Sequence, residues 1–252
     1  MTFEIIFLLL GAVQVFGFFV EGAAGFGCTI ISAPFATGIL GISEGVPFGT
    51  MMSLPLTGTL AFHARKNISW KDLGKILLAC LPGLFLGQYL FNVMNPDIAK
   101  MAIGVVVILI ALYKLITEVI FKREKGEDTT GKKIFRYACL IAGGIVHGAF
   151  SIGGPLITVY TLEAVKDRIT YRNTMACLWT TLNILNVTNQ VLHGSLSLHL
   201  ISVLLVCYPF AIAGYVLGNK FLRKINKEQF LKFVYIVLLF VGIVTFMRSV
   251  MA

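Results

Sequence analysis

The stretch Val20-Glu-Gly-Ala-Ala-Gly-Phe-Gly27 returns as Val146-His-Gly-Ala-Phe-Ser-Ile-Gly153 in the second half of the chain. Each copy interrupts an apolar run with small residues, and each carries one ionisable side chain, Glu21 or His147. Further pairs follow in the same order: Thr50-Met51 over Thr174-Met175, then Cys80-Leu-Pro82 with Gly87 over Cys207-Tyr-Pro209 with Gly214. Matches that keep their order at a nearly constant offset identify an internal repeat.

Composition says what the two halves are made of. Of 252 residues, 57% are hydrophobic and 13% charged, and the mean hydropathy is +0.86. A soluble domain carries roughly a quarter charged residues. At about half that charge, most of the surface faces lipid, so the bilayer is the first partner. Apolar segments run at roughly 3–20, 25–40, 46–63, 74–93 and 98–121, then 134–150, 153–165, 173–192, 198–218 and 229–249. A full span needs about 20 such residues. Segments 25–40 and 153–165 fall short, and read either as thin spans or as helices that enter, break and return. The predicted fold is an all-α polytopic membrane protein of about eight to ten transmembrane segments. It divides into an N-terminal membrane repeat (1–121), a hydrophilic linker (122–133) and a C-terminal membrane repeat (134–252).

Charge orients the halves. The loop after the third segment holds Arg65, Lys66, Lys71 and Lys75, whereas its counterpart at 192–199 has only His193 and His199. The loop after the fourth has Asp97 and Lys100, and its counterpart Lys220, Arg223, Lys224, Lys227 and Lys232. Glu44 stands alone after the second segment, against Lys166, Arg168 and Arg172. Lys and Arg stay on the cytoplasmic side, so equivalent loops of opposite character mean inverted repeats. That topology predicts a multi-pass protein of the cell (inner) membrane, with the linker cytoplasmic and both termini extracytoplasmic. The net charge of +9 is therefore topological, and nucleic acid is excluded as a partner. The first ten residues lack a basic flank and read as a segment that stays, not a cleaved leader. The five cysteines are scattered with no metal or disulfide spacing, so no metal or cofactor is expected.

An inverted repeat suits transport, because two similar halves can rock about a central site. Each glycine break starts a new helix whose first amides have no partner inside the helix. Such a terminus carries partial positive charge and suits an anion, and two of them meeting at the pseudo-twofold axis would make one site. The opposing reading is a small-residue packing surface between helices. The candidate substrate residues are Gly25, Phe26 and Gly27 in the first break and Ser151, Gly153 and Gly154 in the second. Thr50 and Ser53 fall on one helical face, as do Asn183 and Asn186, and these line either a cavity or an interhelical hydrogen-bond seam. Glu21 and His147 are either a proton-coupling pair or a fixed structural contact.

The duplicated start (Gly22-Ala-Ala-Gly-Phe-Gly27 followed by Pro34, and Gly148 to Pro155) resembles the TauE/SafE family of sulfite exporters. The resemblance extends through the Thr-Met segments and the Pro82/Gly87 and Pro209/Gly214 helices, over nearly the whole chain. It implies movement of sulfite, organosulfonates or related organic anions across the inner membrane; with the inverted repeat and the Glu21/His147 pair, the expectation is a secondary transporter of a small anion working by alternating access, with a proton gradient as a candidate driving force. The other readings are a passive anion channel or uniporter, a membrane-embedded sulfur-transfer enzyme using Cys28 or Cys177, or a subunit that docks a partner. A homodimer is the expected assembly if the chain is not monomeric.

Overall fold

A computed structural model describes residues 3–90 and 130–251, with positions 105, 108 and 112 between them. The rest of the predicted segment 98–121, the loop charges Asp97 and Lys100, and the linker up to residue 129 lie outside this description. The described residues are helical: α1 (Phe3–Ala24), α2 (Cys28–His63), a 3-10 turn (Arg65–Asn67), α3 (Trp70–Leu90), α4 (Thr130–Phe150), α5 (Gly154–Ala164), α6 (Arg168–Leu192), α7 (Leu198–Lys224) and α8 (Lys227–Met251). No strand occurs among them. Two of these helices, Trp70–Leu90 and Leu198–Lys224, are long and apolar enough to cross a bilayer by themselves.

Several helices run about a turn beyond the apolar windows. Asp167 takes the Thr170 N–H at 2.8 Å and starts α6 five residues before the predicted segment. The second and third predicted segments are joined at Gly41, whose φ of 77° and ψ of 171° leave the helical region. A Cβ on Gly45 would stand 2.5 Å from the Thr37 Cα, so the chain folds back there as a hairpin. Residues 28–40 make a helix about 20 Å long at 1.5 Å per residue, and the 11 residues of α5 about 17 Å. Both are shorter than a hydrocarbon core of about 30 Å.

The chain divides into two compact units. The first holds residues 1–77 and 165–224, hence α1, α2, the 3-10 turn, the start of α3, α6 and α7. Leu10, Phe18, Phe48, Met52, Leu200, Cys207 and Ala211 pack its core. Between helices in lipid, apolar burial supplies little driving force, so close backbone approach has to bring helices together. The α1–α7 contact is of that kind: Cβ atoms on Gly214 and Gly218 would meet the Val15 and Phe19 carbonyl oxygens at 2.2 and 2.1 Å.

The second unit holds residues 78–164 and 225–252. There α3 packs on α4 in the same way, with Gly83 and Gly87 facing the Ile141 and Ile145 carbonyls at 2.5 and 2.0 Å from an added Cβ. Ile141 and Ile145 follow Val15 and Phe19 by 126 residues, so the glycine pairs 83/87 and 214/218 do equivalent work. That places the contact one helical turn away from the Cys-Leu-Pro register read from the sequence. Arg136 and Glu163 form an ion pair in this unit at 2.5 Å.

Candidate functional site

The two breaks are built alike. In the first unit α1 ends where the Gly25 N–H donates to the Glu21 carbonyl at 2.8 Å, with Gly25 at φ +80°. Glycine adopts that conformation without the steric penalty of a Cβ. The chain turns through Phe26, and Gly27 at φ +117° starts α2, with no side chain capping the new helix. In the second unit the Ser151 N–H donates to the His147 carbonyl at 2.8 Å, and Ser151 is at φ +59°. Gly153 and Gly154 then lead into α5, the Ile157 N–H closing on the Gly153 carbonyl at 3.2 Å. Gly153 answers a packing need as well, since a Cβ there would stand 2.1 Å from the Gly143 carbonyl oxygen.

Around the first break the structure gathers several predicted residues. Glu21 is 4% exposed, one residue before Gly22, whose missing Cβ lets the α7 backbone in at Tyr215 and Asn219. The Ser53 hydroxyl, from the second arm of α2, donates to Glu21 Oε1 at 2.9 Å. The Cys28 thiol and main-chain N–H lie against the same carboxylate. The free N-terminal turn of α2 is thus directed at the chain's own acid. The helix end, with its partial positive charge, and the Ser53 hydroxyl are the polar groups that the Glu21 side chain meets in this apolar setting. Phe26, in the turn, is buried.

The polar faces point inward as the helical spacing predicted. Thr50, Ser53 and Thr57 are buried on α2, and Trp179, Asn183 and Asn186 on α6. Their roles differ. Thr57 bonds its own helix at the Ser53 carbonyl, and Thr50 bonds the Pro47 carbonyl and bridges to Gln190 Oε1 at 2.9 Å. Thr50 therefore serves the helix seam, and Ser53 alone of the three reaches an ionisable group. Trp179 donates its indole N–H to the Gly25 carbonyl at 2.7 Å, so α6 pins the break directly.

His147, Ser151, Gly153 and Gly154 belong to the second unit, where His147 is 3% exposed on α4.

Two buried polar side chains in the first unit, and one half-buried partner, are not foreseen from the sequence. Gln14, in the middle of α1, is fully buried, and neither amide atom has a partner among the described residues. Arg172, assigned by its charge to a cytoplasmic loop, instead lies inside α6 at 3% exposure, with Nη1 on Asn219 Oδ1 at 3.0 Å. Asn219 is the third participant, contributed by α7. The loop assignment failed because α6 begins at the Asp167 cap and carries Arg172 onto its second turn. Gln14 had a signal available, being a lone amide in a long apolar run. Arg172 had none, since a cation next to other cations reads as a loop.

A family model described as sulfite exporter TauE/SafE matches residues 9–245. No curated protein and no solved structure matches the chain.

Proposed function

This chain belongs to the TauE/SafE family of sulfite exporters, a family of membrane transporters, and we propose that it moves a small anion across the cell membrane with Glu21 as the coupling group. The carrying observation is the buried Glu21 carboxylate held by Ser53 at the open N-terminus of α2. A substrate anion needs the same amides and the same positive helix end, so an ionised Glu21 competes with it. Protonation neutralises Glu21 and frees the helix terminus. Proton and anion then bind together, which couples flux of the one to the other.

The two breaks share their backbone turn, their i-to-i+4 closing bond and an ionisable side chain four residues earlier. That likeness supports two inverted repeats, each with a helix terminus suited to an anion, worked by alternating access. In this reading Gly25, Phe26, Gly27, Ser151, Gly153 and Gly154 shape the termini, His147 is the second proton-handling group, and Asn183 and Asn186 line the path. Sulfite, organosulfonates and related organic anions are the substrate class. The protein is multi-pass in the inner membrane, with both termini outside the cytoplasm.

The test is flux of sulfite, sulfate, thiosulfate and sulfoacetate into liposomes that hold the purified chain alone. Saturable flux of at least one of these supports the reading, and flux that survives replacement of all five cysteines eliminates sulfur-transfer chemistry at Cys28 or Cys177. Absence of flux for every anion contradicts transport by this chain and favours a subunit that docks a partner.

A further inference from the structure

Arg172 carries a full positive charge into the interior of the first unit with no counter-anion among the described residues. It is 3% exposed, and no carboxylate forms an ion pair with it among the described residues. Asn219, the residue that holds Nη1, is neutral. On the other side of the fork the Nε–H is buried and has no partner among the described residues. An uncompensated buried cation is among the most unfavourable features a fold can keep, because the charge gives up its hydration with nothing to replace it. A guanidinium with one edge tied and the other free is also the standard geometry for taking two oxygens of an oxyanion.

Its position ties this charge to the break. The Arg172 Cα lies 3.4 Å from where a Gly25 Cβ would be, so the missing side chain lets α6 approach the turn at this residue. Asn219 sits on the turn of α7 that packs over Gly22, next to Glu21. The Tyr215 phenol, one turn earlier on α7, is within electrostatic range of both Arg172 and Glu21. We propose that Arg172, aimed by Asn219, is the residue that binds the transported oxyanion in the first unit, through its free Nε edge. Asn219 is then a positioning residue. The inference rests on the transport reading above and adds the charged ligand that the helix terminus lacks. Glu21 and Arg172 divide the work: the acid admits the anion when protonated, and the cation supplies its counter-charge.

Purified full-length protein is examined for anion-dependent thermal stabilisation and for flux in liposomes, with sulfite and sulfate as probes. The variants are Arg172→Gln, which removes the charge, and Asn219→Asp, which places a competing carboxylate on the guanidinium. Loss of a charge-assisted bidentate contact weakens anion binding by about ten- to a hundredfold. Both variants are expected to show that loss. Without added anion their melting temperatures are expected to equal or exceed that of the wild type, because each relieves an unpaired buried charge. Wild-type affinity in either variant overturns the assignment. So does an Arg172→Gln protein that melts lower without anion yet keeps the wild-type stabilisation by sulfite, for that is the behaviour of a structural clamp. Should Arg172→Gln fail to fold, Asn219→Asp decides alone. A wild-type protein that responds to none of these anions contradicts the transport reading itself, a result distinct from loss confined to the variants.

Discussion

Replacing Trp179 by Phe tests how firmly α6 holds the first break, and the chain contains its own control. There are two tryptophans. Trp179 is 5% exposed, and its indole N–H reaches the Gly25 carbonyl at 2.7 Å. Trp70, at the start of α3, is 58% exposed, and its N–H reaches the Arg65 carbonyl at 3.2 Å. Phenylalanine deletes the donor in both cases. At Trp179 it leaves a buried carbonyl unsatisfied, a cost of about 1–3 kcal/mol. The smaller ring adds about 1 kcal/mol for incomplete filling of the space. At Trp70 the carbonyl stays accessible and the loss is at most about 0.5 kcal/mol. Trp179→Phe should therefore cost about 2–4 kcal/mol and Trp70→Phe almost nothing. Thermal unfolding of the detergent-solubilised protein reads stability, and tryptophan fluorescence follows the one indole left in each variant. Equal stabilities of the two variants would refute the idea that the indole bond fixes the break.

Three further outcomes follow from the remaining geometry. Glu44 accepts from the Ser197 hydroxyl at 2.5 Å and lies 2.7 Å from His199 Nδ1; these contacts, the Ser197 bond foremost, hold its carboxyl below the ordinary carboxylate value. A depressed folded-state value gives stability that is present above the unfolded value and lost as pH falls through the folded one. Acid unfolding should thus begin at higher pH in Ser197→Ala than in the wild type, with no difference at neutral pH in the slope of stability against pH. Asp167→Ala removes the cap of α6 and should cost about 1 kcal/mol, read by thermal unfolding, while Asp167→Asn recovers most of it. Gly218→Val drives a side chain toward the Phe19 carbonyl and should prevent close packing of α1 on α7, lowering stability by about 1–3 kcal/mol or abolishing the folded state. Size-exclusion profiles and melting curves check it.

What the sequence revealed, and what it concealed, divides by the range of the interaction. The break at Gly25 to Gly27 was readable because its cause is local: glycines and an apolar run on either side. The inward faces of α2 and α6 were readable because helical spacing alone puts Ser53 beside Thr50 and Thr57, and Asn183 beside Asn186. The hairpin at Gly41 was half visible, as a gap between two apolar windows. Partners from distant parts of the chain were not readable. Nothing in the spacing links Trp179 to Gly25, Arg172 to Asn219, or Glu44 to Ser197 and His199, since each pair is set by how α6 and α7 pack on α1 and α2. Arg172 shows the hazard most clearly: charge counting places it in a loop, and only the start of α6 at Asp167 turns it into the interior. The repeat register has the same origin, because Pro82 and Pro209 align by residue type whereas Gly83 and Gly214 align by the carbonyls they face.

The claim that Glu21 couples protons to anion flux is tested most directly by flux of a sulfonate into proteoliposomes with and without an imposed pH gradient, in wild type and Glu21→Gln. A sulfonate keeps its charge over the range used, so any pH dependence belongs to the protein. Glutamine keeps the shape and the contact with Ser53 but fixes the neutral form. The account predicts that a pH gradient drives sulfonate accumulation in the wild type, and that Glu21→Gln equilibrates sulfonate without accumulating it and without responding to the gradient. Gradient-driven accumulation at the wild-type level in Glu21→Gln, or wild-type flux indifferent to the gradient, would contradict it.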